Sequence, residues 1–222
     1  MNEALYRKGA GESAVILCHG FGANATDLSA LADVFDPERS HEWLFPEAPN
    51  SLAAIGFPDG RAWYPKSQED LRLAVYGGYF SGLAEKDPPG LVESGKRIRS
   101  LAGDLGIPWD KIVLGGFSQG TTVAVEAALG TPEPPGGLIL FSGAPIARAR
   151  WEQELPRLAG TRFFQSHGTE DGILALDDGR ALHGLLTGAG LIGDLLVFPG
   201  GHTIPEEALL GARDFLLKAV SL

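Results

Sequence analysis

Short apolar runs that end in glycine recur along the whole of this sequence, and the glycine content reflects them. Glycine accounts for 31 of the 222 residues, about twice the usual share of ~7%. The stretches between these runs are long enough to form helices. Continuous apolar runs are typical of strands that are buried on both faces of a parallel sheet. The alternation therefore predicts an α/β fold with a doubly wound sheet.

Six runs are predicted as strands of that sheet, and a seventh segment is predicted as an edge strand, which gives a sheet of six to seven strands. The six are residues 14–18, 43–45, 111–114, 138–141, 161–165 and 194–198, and the edge strand is 5–8. Helices are predicted between them at 24–34, 91–105, 119–129, 176–186 and 205–217. Residues 47–71 and 75–89 show neither period, which is typical of functional or mobile segments.

Composition and charge limit the classes of function. A chain of 222 residues with 44% hydrophobic and 21% charged residues has the composition of a globular domain, and no repeat or linker divides it. We therefore expect one domain over residues 1–222. A net charge of -10 and the lack of a basic cluster argue against nucleic acid as a partner. No apolar run approaches the ~18 residues that a membrane-spanning helix needs.

The cysteine and histidine content bears on location and on metals. The single cysteine, Cys18, cannot form a disulfide within the chain, and residues 1–12 contain no apolar run of the kind that signal peptides have. A reducing, cytoplasmic location is therefore expected. Five scattered histidines and one cysteine show no paired spacing of metal ligands, so no metal site is expected.

Residues 116–120, Gly-Phe-Ser-Gln-Gly, match the pattern Gly-x-Ser-x-Gly. A predicted strand precedes them and a predicted helix follows, which is the context of a nucleophile elbow. In such an elbow a sharp turn holds the serine in a strained conformation, and larger residues in place of the glycines would collide. The alternative is a glycine-rich turn whose serine caps the helix. Ser118 is thus the candidate nucleophile, and a serine hydroxyl needs a base to take its proton.

Three histidines, His19, His167 and His202, follow strand ends and compete for the role of that base. The loops after parallel strands all emerge at one edge of the sheet. The chain order nucleophile, acid, histidine that accompanies this elbow selects His202, which follows the last predicted strand. The acid is then expected after the fifth predicted strand, where Asp171 is the candidate and Glu170 its competitor. The acid would hold the imidazole in the required tautomer.

Backbone amides are the usual donors to the oxyanion of a tetrahedral intermediate. One is expected from Gln119, at a helix N-terminus, and a second from Phe21, in the glycine-rich loop after the first core strand. Aromatic side chains in the irregular stretches are candidates for the wall of an acyl pocket, although each is equally compatible with core packing. These aromatic residues are Phe57, Trp63, Tyr64, Tyr76, Tyr79 and Phe80.

Six segments taken together carry a family resemblance. They are residues 19–22 (His-Gly-Phe-Gly), 46–49 (Pro-Glu-Ala-Pro), 60–64 (Gly-Arg-Ala-Trp-Tyr), the elbow 116–120, His-Gly at 167–168 ahead of Asp171, and Gly-His at 201–202 ahead of Glu206. In this order they resemble the phospholipase/carboxylesterase family, which is similar to the acyl-protein thioesterases within the α/β-hydrolase fold. Two features depart from the family pattern: Gly172 stands where a proline or apolar residue is common, and residues 71–89 do not match.

The resemblance implies a serine hydrolase of carboxylic esters or thioesters that works without a cofactor and has a small or absent lid. Its substrate would be a small-molecule or lipid ester or thioester, lysophospholipids included, or an acylated protein. A serine peptidase or a dienelactone-type hydrolase on the same fold is an alternative, although the latter usually carries cysteine at the elbow. A non-catalytic binding module is a further alternative, but all three candidate catalytic residues, Ser118, Asp171 and His202, are present.

Overall fold

A computed structural model describes residues 4–9, 11–65, 67–75 and 82–220. Its strands, numbered in chain order, are β1 Ala4–Arg7, β2 Ala14–Cys18, β3 Glu42–Pro46, β4 Asn50–Ser51, β5 Arg61–Ala62, β6 Ile112–Phe117, β7 Gly137–Phe141, β8 Arg162–Gly168 and β9 Ile192–Phe198. Its α-helices are α1 Leu31–Phe35, α2 Gln68–Val75, α3 Leu91–Gly103, α4 Gln119–Leu129, α5 Arg148–Glu154, α6 Leu176–Gly188 and α7 Glu206–Ala219.

Seven strands form the main sheet in the order β1-β3-β2-β6-β7-β8-β9. All neighbours in it are parallel except β1, which runs antiparallel to β3 at the edge. The short strands β4 and β5 pair with each other as a separate antiparallel ribbon. These pairings confirm the α/β class, the mostly parallel sheet and the predicted edge strand.

Alternate residues of the central strands point into two different cores. Val15 and Leu17 of β2 pack with residues of α1 and α7, whereas Ala14 and Ile16 pack with residues of α3, α4, α5 and α6. All four side chains are at most 1% exposed. Helices therefore cover both faces of the sheet, which explains why the strands have continuous apolar sequences. Of the helices described, none combines the length and the apolarity that crossing a bilayer requires.

The helix predicted over residues 24–34 is wrong in extent, because α1 occupies only its C-terminal part. Asn24 Oδ1 accepts hydrogen bonds from the amide of Thr26 at 2.9 Å and from its hydroxyl at 2.5 Å. Asp27 Oδ2 accepts one from the Asn24 amide at 2.6 Å. Such local side-chain bonds compete with the helical hydrogen-bond pattern. Residues 24–30 accordingly form a series of turns rather than a helix.

Two helices have no counterpart among the predicted elements. α2 lies at the end of the irregular stretch 47–71, which also contains the β4–β5 ribbon. α5 follows β7 and contributes one fully buried side chain, Trp151, whose indole donates to Glu126 at 2.9 Å. Arg150 binds the same carboxylate through two hydrogen bonds of 3.0 Å. α5 is held in place by these tertiary contacts rather than by an apolar face. Its sequence therefore lacks the apolar periodicity from which a helix is predicted.

Candidate active site

Ser118 lies in the turn between β6 and α4. Its backbone has φ 55° and ψ -119°, a conformation that non-glycine residues rarely adopt and that costs about 1–3 kcal/mol. The Ser118 amide donates to the Phe141 carbonyl at 2.9 Å, which ties the turn to the neighbouring strand β7. In the described chain the Ser118 side chain makes no capping hydrogen bond to α4. The hydroxyl of this strained residue is therefore not used as a helix cap.

The two glycines that flank the turn are required by close backbone contacts. A Cβ on Gly116 would lie 2.4 Å from the carbonyl carbon of Gly120, and a Cβ on Gly120 would lie 2.0 Å from the Cys18 oxygen. Cys18 ends β2 and pairs with Gly116 in the parallel ladder. The turn that carries Ser118 is thus pressed against the end of the adjacent strand, as the pattern Gly-x-Ser-x-Gly requires.

Asp171 and His202 are in direct contact. His202 Nδ1 donates a hydrogen bond to Asp171 Oδ2 at 2.6 Å. The second oxygen of Asp171, Oδ1, accepts from the amides of Ile173 and Leu174, each at 2.9 Å. The Asp171 side chain is fully buried and that of His202 is 12% exposed. The carboxylate therefore occupies a fixed position behind an imidazole whose other nitrogen remains available.

The loops after β8 and β9 bring these two residues together. The Glu170 amide donates to the Gly200 carbonyl at 2.8 Å, and a Cβ on Gly168 would lie 2.3 Å from the same oxygen. The loops consequently run side by side at the carboxyl edge of the sheet. Glu170, the competing candidate for the acid, has an exposed side chain, whereas Asp171 is turned inward toward His202.

The other two histidines that follow strand ends are buried in different surroundings. His19 Nδ1 donates to the Gly20 carbonyl at 2.8 Å, and His19 Nε2 accepts from the Ala48 amide at 3.2 Å. Burial lowers the pKa of His19, which agrees with a neutral ring. His167 is fully buried and its Nε2 donates to the Leu174 carbonyl at 2.9 Å. Neither ring lines the cavity that opens beside the Ser118 turn.

A cavity of about 390 Å³ opens beside the turn, and Ser118 and His202 both lie on its wall. Phe21 and Gln119, the candidate oxyanion residues, also line it. The rest of the wall is mainly apolar, and none of the described residues that form it is Asp, Glu, Lys or Arg. Because Gln119 is the first residue of α4, its amide is among those without an acceptor inside the helix.

The aromatic candidates for the pocket occupy different places. Phe57 and Tyr64 line the cavity. Trp63 does not line it. Its side chain is fully buried in the core, with 0% of its surface accessible, and its indole donates to the His19 carbonyl at 2.8 Å. The pocket interpretation of Trp63 is therefore corrected to a core position. Tyr79, like Tyr76 and Phe80, lies outside the described residues.

The role of the Gln119 side chain, and the contributions of Ile173 and Leu174, were not predicted from the sequence. The Gln119 side chain joins the elbow to the segment after β5, because Oε1 accepts from the Trp63 amide at 2.9 Å and Nε2 donates to the Tyr64 carbonyl at 2.6 Å. Ile173 and Leu174, next to the acid, line the cavity. Apolar residues in a loop carry no periodic signal that would have identified them.

In residues 4–9, 11–65, 67–75 and 82–220, no three or more His, Cys, Asp and Glu side chains are grouped so as to hold a metal ion. Cys18 is a free, buried thiol, and burial raises its pKa. The polar residues among those that line the cavity are Tyr64, Ser118, Gln119, Thr122 and His202.

Solved structures with the same arrangement of strands and helices define the class of the fold. An esterase, PE8, superposes with a TM-score of 0.79 at 26% sequence identity, covering 98% of both chains. The carboxylesterase of Bacillus cereus superposes with a TM-score of 0.70 at 22% identity, covering 97% of this chain and 93% of the other. The molecule is an α/β-hydrolase.

Sequence relatives define the family more narrowly. The Phospholipase/Carboxylesterase family profile matches residues 94–220. Acyl-protein thioesterase 1 of Eremothecium gossypii is 30% identical over 219 residues, covering 91% of this chain and 86% of the relative. Acyl-protein thioesterase 1 of Yarrowia lipolytica is 31% identical over 181 residues, covering 78% and 75%. The chain belongs to the phospholipase/carboxylesterase family and is by class a carboxylic ester hydrolase.

Proposed function

We propose that the protein hydrolyses carboxylic esters or thioesters through an acyl-enzyme formed on Ser118, with His202 as the base and Asp171 as the residue that orients it. The observation that carries this proposal is the 2.6 Å hydrogen bond from His202 Nδ1 to Asp171 Oδ2. The imidazole so held lies on the same cavity wall as the strained Ser118. With Nδ1 engaged, Nε2 is the nitrogen that can take the proton of Ser118.

In the first half of the reaction, Ser118 Oγ attacks the acyl carbonyl carbon as its proton passes to His202 Nε2. The carbonyl oxygen gains negative charge and is held by the amides of Phe21 and Gln119. The intermediate collapses when the bond to the leaving oxygen or sulfur breaks. His202 returns the proton to that leaving group, and the acyl group remains bound to Ser118.

In the second half, water replaces the leaving group. His202 Nε2 takes a proton from the water as its oxygen attacks the acyl-enzyme carbonyl. Collapse of this second intermediate breaks the bond to Ser118 Oγ, and His202 returns the proton to the serine. The free carboxylic acid leaves and the protein is restored, with one water consumed for each ester cleaved and no cofactor required.

The cavity wall bears on the substrate class. None of the described residues that form it is Asp, Glu, Lys or Arg. An uncharged acyl chain can therefore enter without removing water from a charged side chain, which would be costly. Relatives named as acyl-protein thioesterases support including thioesters, small or protein-bound, among the substrates. A thioester differs from an ester in the leaving atom, and the acyl side of the cavity serves both.

The proposal extends to the location of the protein and to its domain organisation. We assign it to the cytoplasm because its only cysteine, Cys18, is a free and buried thiol, as is usual in reducing compartments. We also propose one domain for residues 1–222, on the ground that the seven-stranded sheet begins with β1, ends with β9 and leaves out only the β4–β5 ribbon. Limited proteolysis that leaves one resistant fragment of nearly full length is the expected result.

The test is a series of aryl esters, from acetate through butyrate and octanoate to dodecanoate, measured beside an octanoyl thioester. Ser118→Ala should lower kcat by about 10⁶-fold, and Asp171→Asn by about 10⁴-fold. Asp177→Asn is the matched control, since the Asp177 side chain is 88% exposed on α6, and it should retain full activity. A fluorophosphonate probe should add one covalent label to the wild type and none to Ser118→Ala. Ester hydrolysis that survives Ser118→Ala would overturn the proposal.

A further inference from the structure

A second imidazole approaches the candidate acid. His167, in β8, has its Nε2 3.4 Å from Asp171 Oδ2, the oxygen that also receives the hydrogen bond from His202. The same Nε2 lies 2.9 Å from the Leu174 carbonyl oxygen. Both neighbours are acceptors, so Nε2 carries the hydrogen. It donates to the Leu174 carbonyl, and the Asp171 carboxylate lies beside this bond at 3.4 Å. This ring takes no part in the proton transfers between Ser118, His202 and the leaving group.

Packing around its other nitrogen, Nδ1, confines the His167 ring. His167 Nδ1 is buried and has no hydrogen-bond partner in the described part of the chain. It lies against Gly179 of α6, where a Cβ would come within 2.4 Å of it. Gln165, two residues earlier on β8, donates to the Gly179 carbonyl at 2.7 Å and holds that turn of α6 in place. The ring is thus confined between α6 and the acid loop.

Leu174 connects His167 to Asp171 a second time. The Leu174 amide donates to Asp171 Oδ1 at 2.9 Å, while the Leu174 carbonyl accepts from His167 at 2.9 Å. His167 therefore holds the acid loop at the residue that itself binds the carboxylate. Leu174 also lines the cavity. A displacement of this peptide would move the acid and the cavity wall together.

We propose that His167 is a positioning residue that holds Asp171 in place behind His202, chiefly through its hydrogen bond to Leu174 and in addition through the 3.4 Å contact of its N–H edge with the carboxylate. This inference rests on the proposed function. His167 itself is fully buried and is not part of the cavity wall, so it touches neither substrate nor the reacting atoms. Loss of its Nε2–H should lower kcat, because the His202 imidazole is then held less well, and should leave KM nearly unchanged.

The first experiment removes and then restores the donor. His167→Leu lacks the N–H, whereas the side-chain nitrogen of His167→Gln is the same number of bonds from Cα as Nε2. We expect kcat for an aryl butyrate to fall by on the order of 10- to 100-fold in His167→Leu, with KM within about twofold. We expect His167→Gln to recover most of that loss. If the ring served only to fill space, His167→Gln would not restore kcat.

The second experiment perturbs His167 from outside the site. Gly179→Ala puts a methyl group against Nδ1, while Gly184→Ala, on the same helix, has nothing within 4 Å of the new Cβ. Gly179→Ala should lower kcat with KM nearly unchanged, and Gly184→Ala should match the wild type. If His167→Leu does not fold, as judged by circular dichroism, this glycine pair decides the question.

The outcomes separate the two proposals. Ser118→Ala, measured in the same assay, tests the proposed function: if it retains activity, that function fails and the positioning role fails with it. If Ser118→Ala is inactive while His167→Leu or Gly179→Ala folds and keeps the wild-type kcat, the positioning role alone is overturned. A fall in kcat that His167→Gln restores supports it.

Discussion

The side chain of Gln119 accepts a hydrogen bond from the backbone amide of Trp63, 56 positions earlier in the chain, at 2.9 Å. The side-chain nitrogen of Gln119, Nε2, donates to the backbone carbonyl of the next residue, Tyr64, at 2.6 Å. Gln119 is 3% exposed, so these bonds are shielded from water. The residue directly after the candidate nucleophile thereby joins the elbow to the segment that follows β5.

The first prediction concerns this connection. Gln119→Leu should remove both hydrogen bonds, and the buried Trp63 amide then loses this acceptor at a cost of about 1–3 kcal/mol in the free energy of unfolding. Urea unfolding measures the loss. Activity should fall further than the loss of stability explains. The substitution keeps the Gln119 backbone amide, which is a proposed oxyanion donor, but it removes the side-chain bonds that hold this amide in place. A Gln119→Leu protein as stable as the wild type would contradict the inferred role of these bonds.

The second prediction concerns the elbow glycines. Gly120→Ala should destabilise the protein by at least about 3 kcal/mol or prevent folding, because the new methyl group would meet the Cys18 carbonyl oxygen at 2.0 Å. Gly103→Ala is the matched control, since nothing lies within 4 Å of a Cβ at that position and alanine favours the helix. Equal melting temperatures for the two variants would show that the contact with Cys18 is not obligatory.

The third prediction concerns the rim of the cavity. Ile173 lines the cavity and yet is 60% exposed, so its side chain is available to a long substrate. Ile173→Ser should lower kcat/KM for dodecanoate esters about threefold to tenfold, the value of roughly one lost apolar contact, and leave acetate esters unaffected. Leu210→Ser, at a 51% exposed position of α7, is the control. An equal effect on short and long esters would argue against contact with the chain.

The fourth prediction concerns pH. Burial lowers the pKa of His19 and of His41, and for His41 the nearby Asp36 carboxylate opposes part of that effect. In the unfolded chain both rings titrate near the ordinary value of about 6.5. As the pH falls through that value, the unfolded chain binds protons that the folded protein does not, so the free energy of unfolding decreases.

Urea unfolding at about pH 7.5 and about pH 5.5 measures this decrease. His19→Gln cannot be protonated at residue 19, so its free energy of unfolding should depend less on pH than that of the wild type. An identical pH dependence in the two proteins would show that the buried ring contributes nothing to it.

The central sheet could be predicted from the sequence because its signal is local. α4 begins and ends where the pattern predicts, at Gln119 and Leu129, since a strand, two glycines and an apolar run mark it on both sides. β6 extends to Phe117, beyond the predicted end at Leu114. Gly115 and Gly116 continue the ladder with β7 although glycine has no preference for strands.

Features that depend on contacts between distant residues could not be predicted in this way. The contact between Asp171 and His202 was expected from chain order, but the approach of His167 to the same carboxylate depends on the loop 169–175 and on α6. Trp63 has the sequence context of a pocket residue and is instead a core side chain. The bonds from Gln119 to residues 63 and 64 arise only when the irregular segment folds back over α4.

The contact of the elbow glycines with the Cys18 carbonyl has a consequence for how such a protein can diverge. The nearest atoms that a side chain would meet there belong to the main chain of Cys18 and Gly120, which no compensating mutation can shrink, so positions 116 and 120 are closed to variation. Phe57 and Ile173, partly open to solvent at the cavity, carry no such constraint. New substrate preferences are therefore best sought by diversifying Phe57 and Ile173 in selection libraries, while Gly116 and Gly120 are kept.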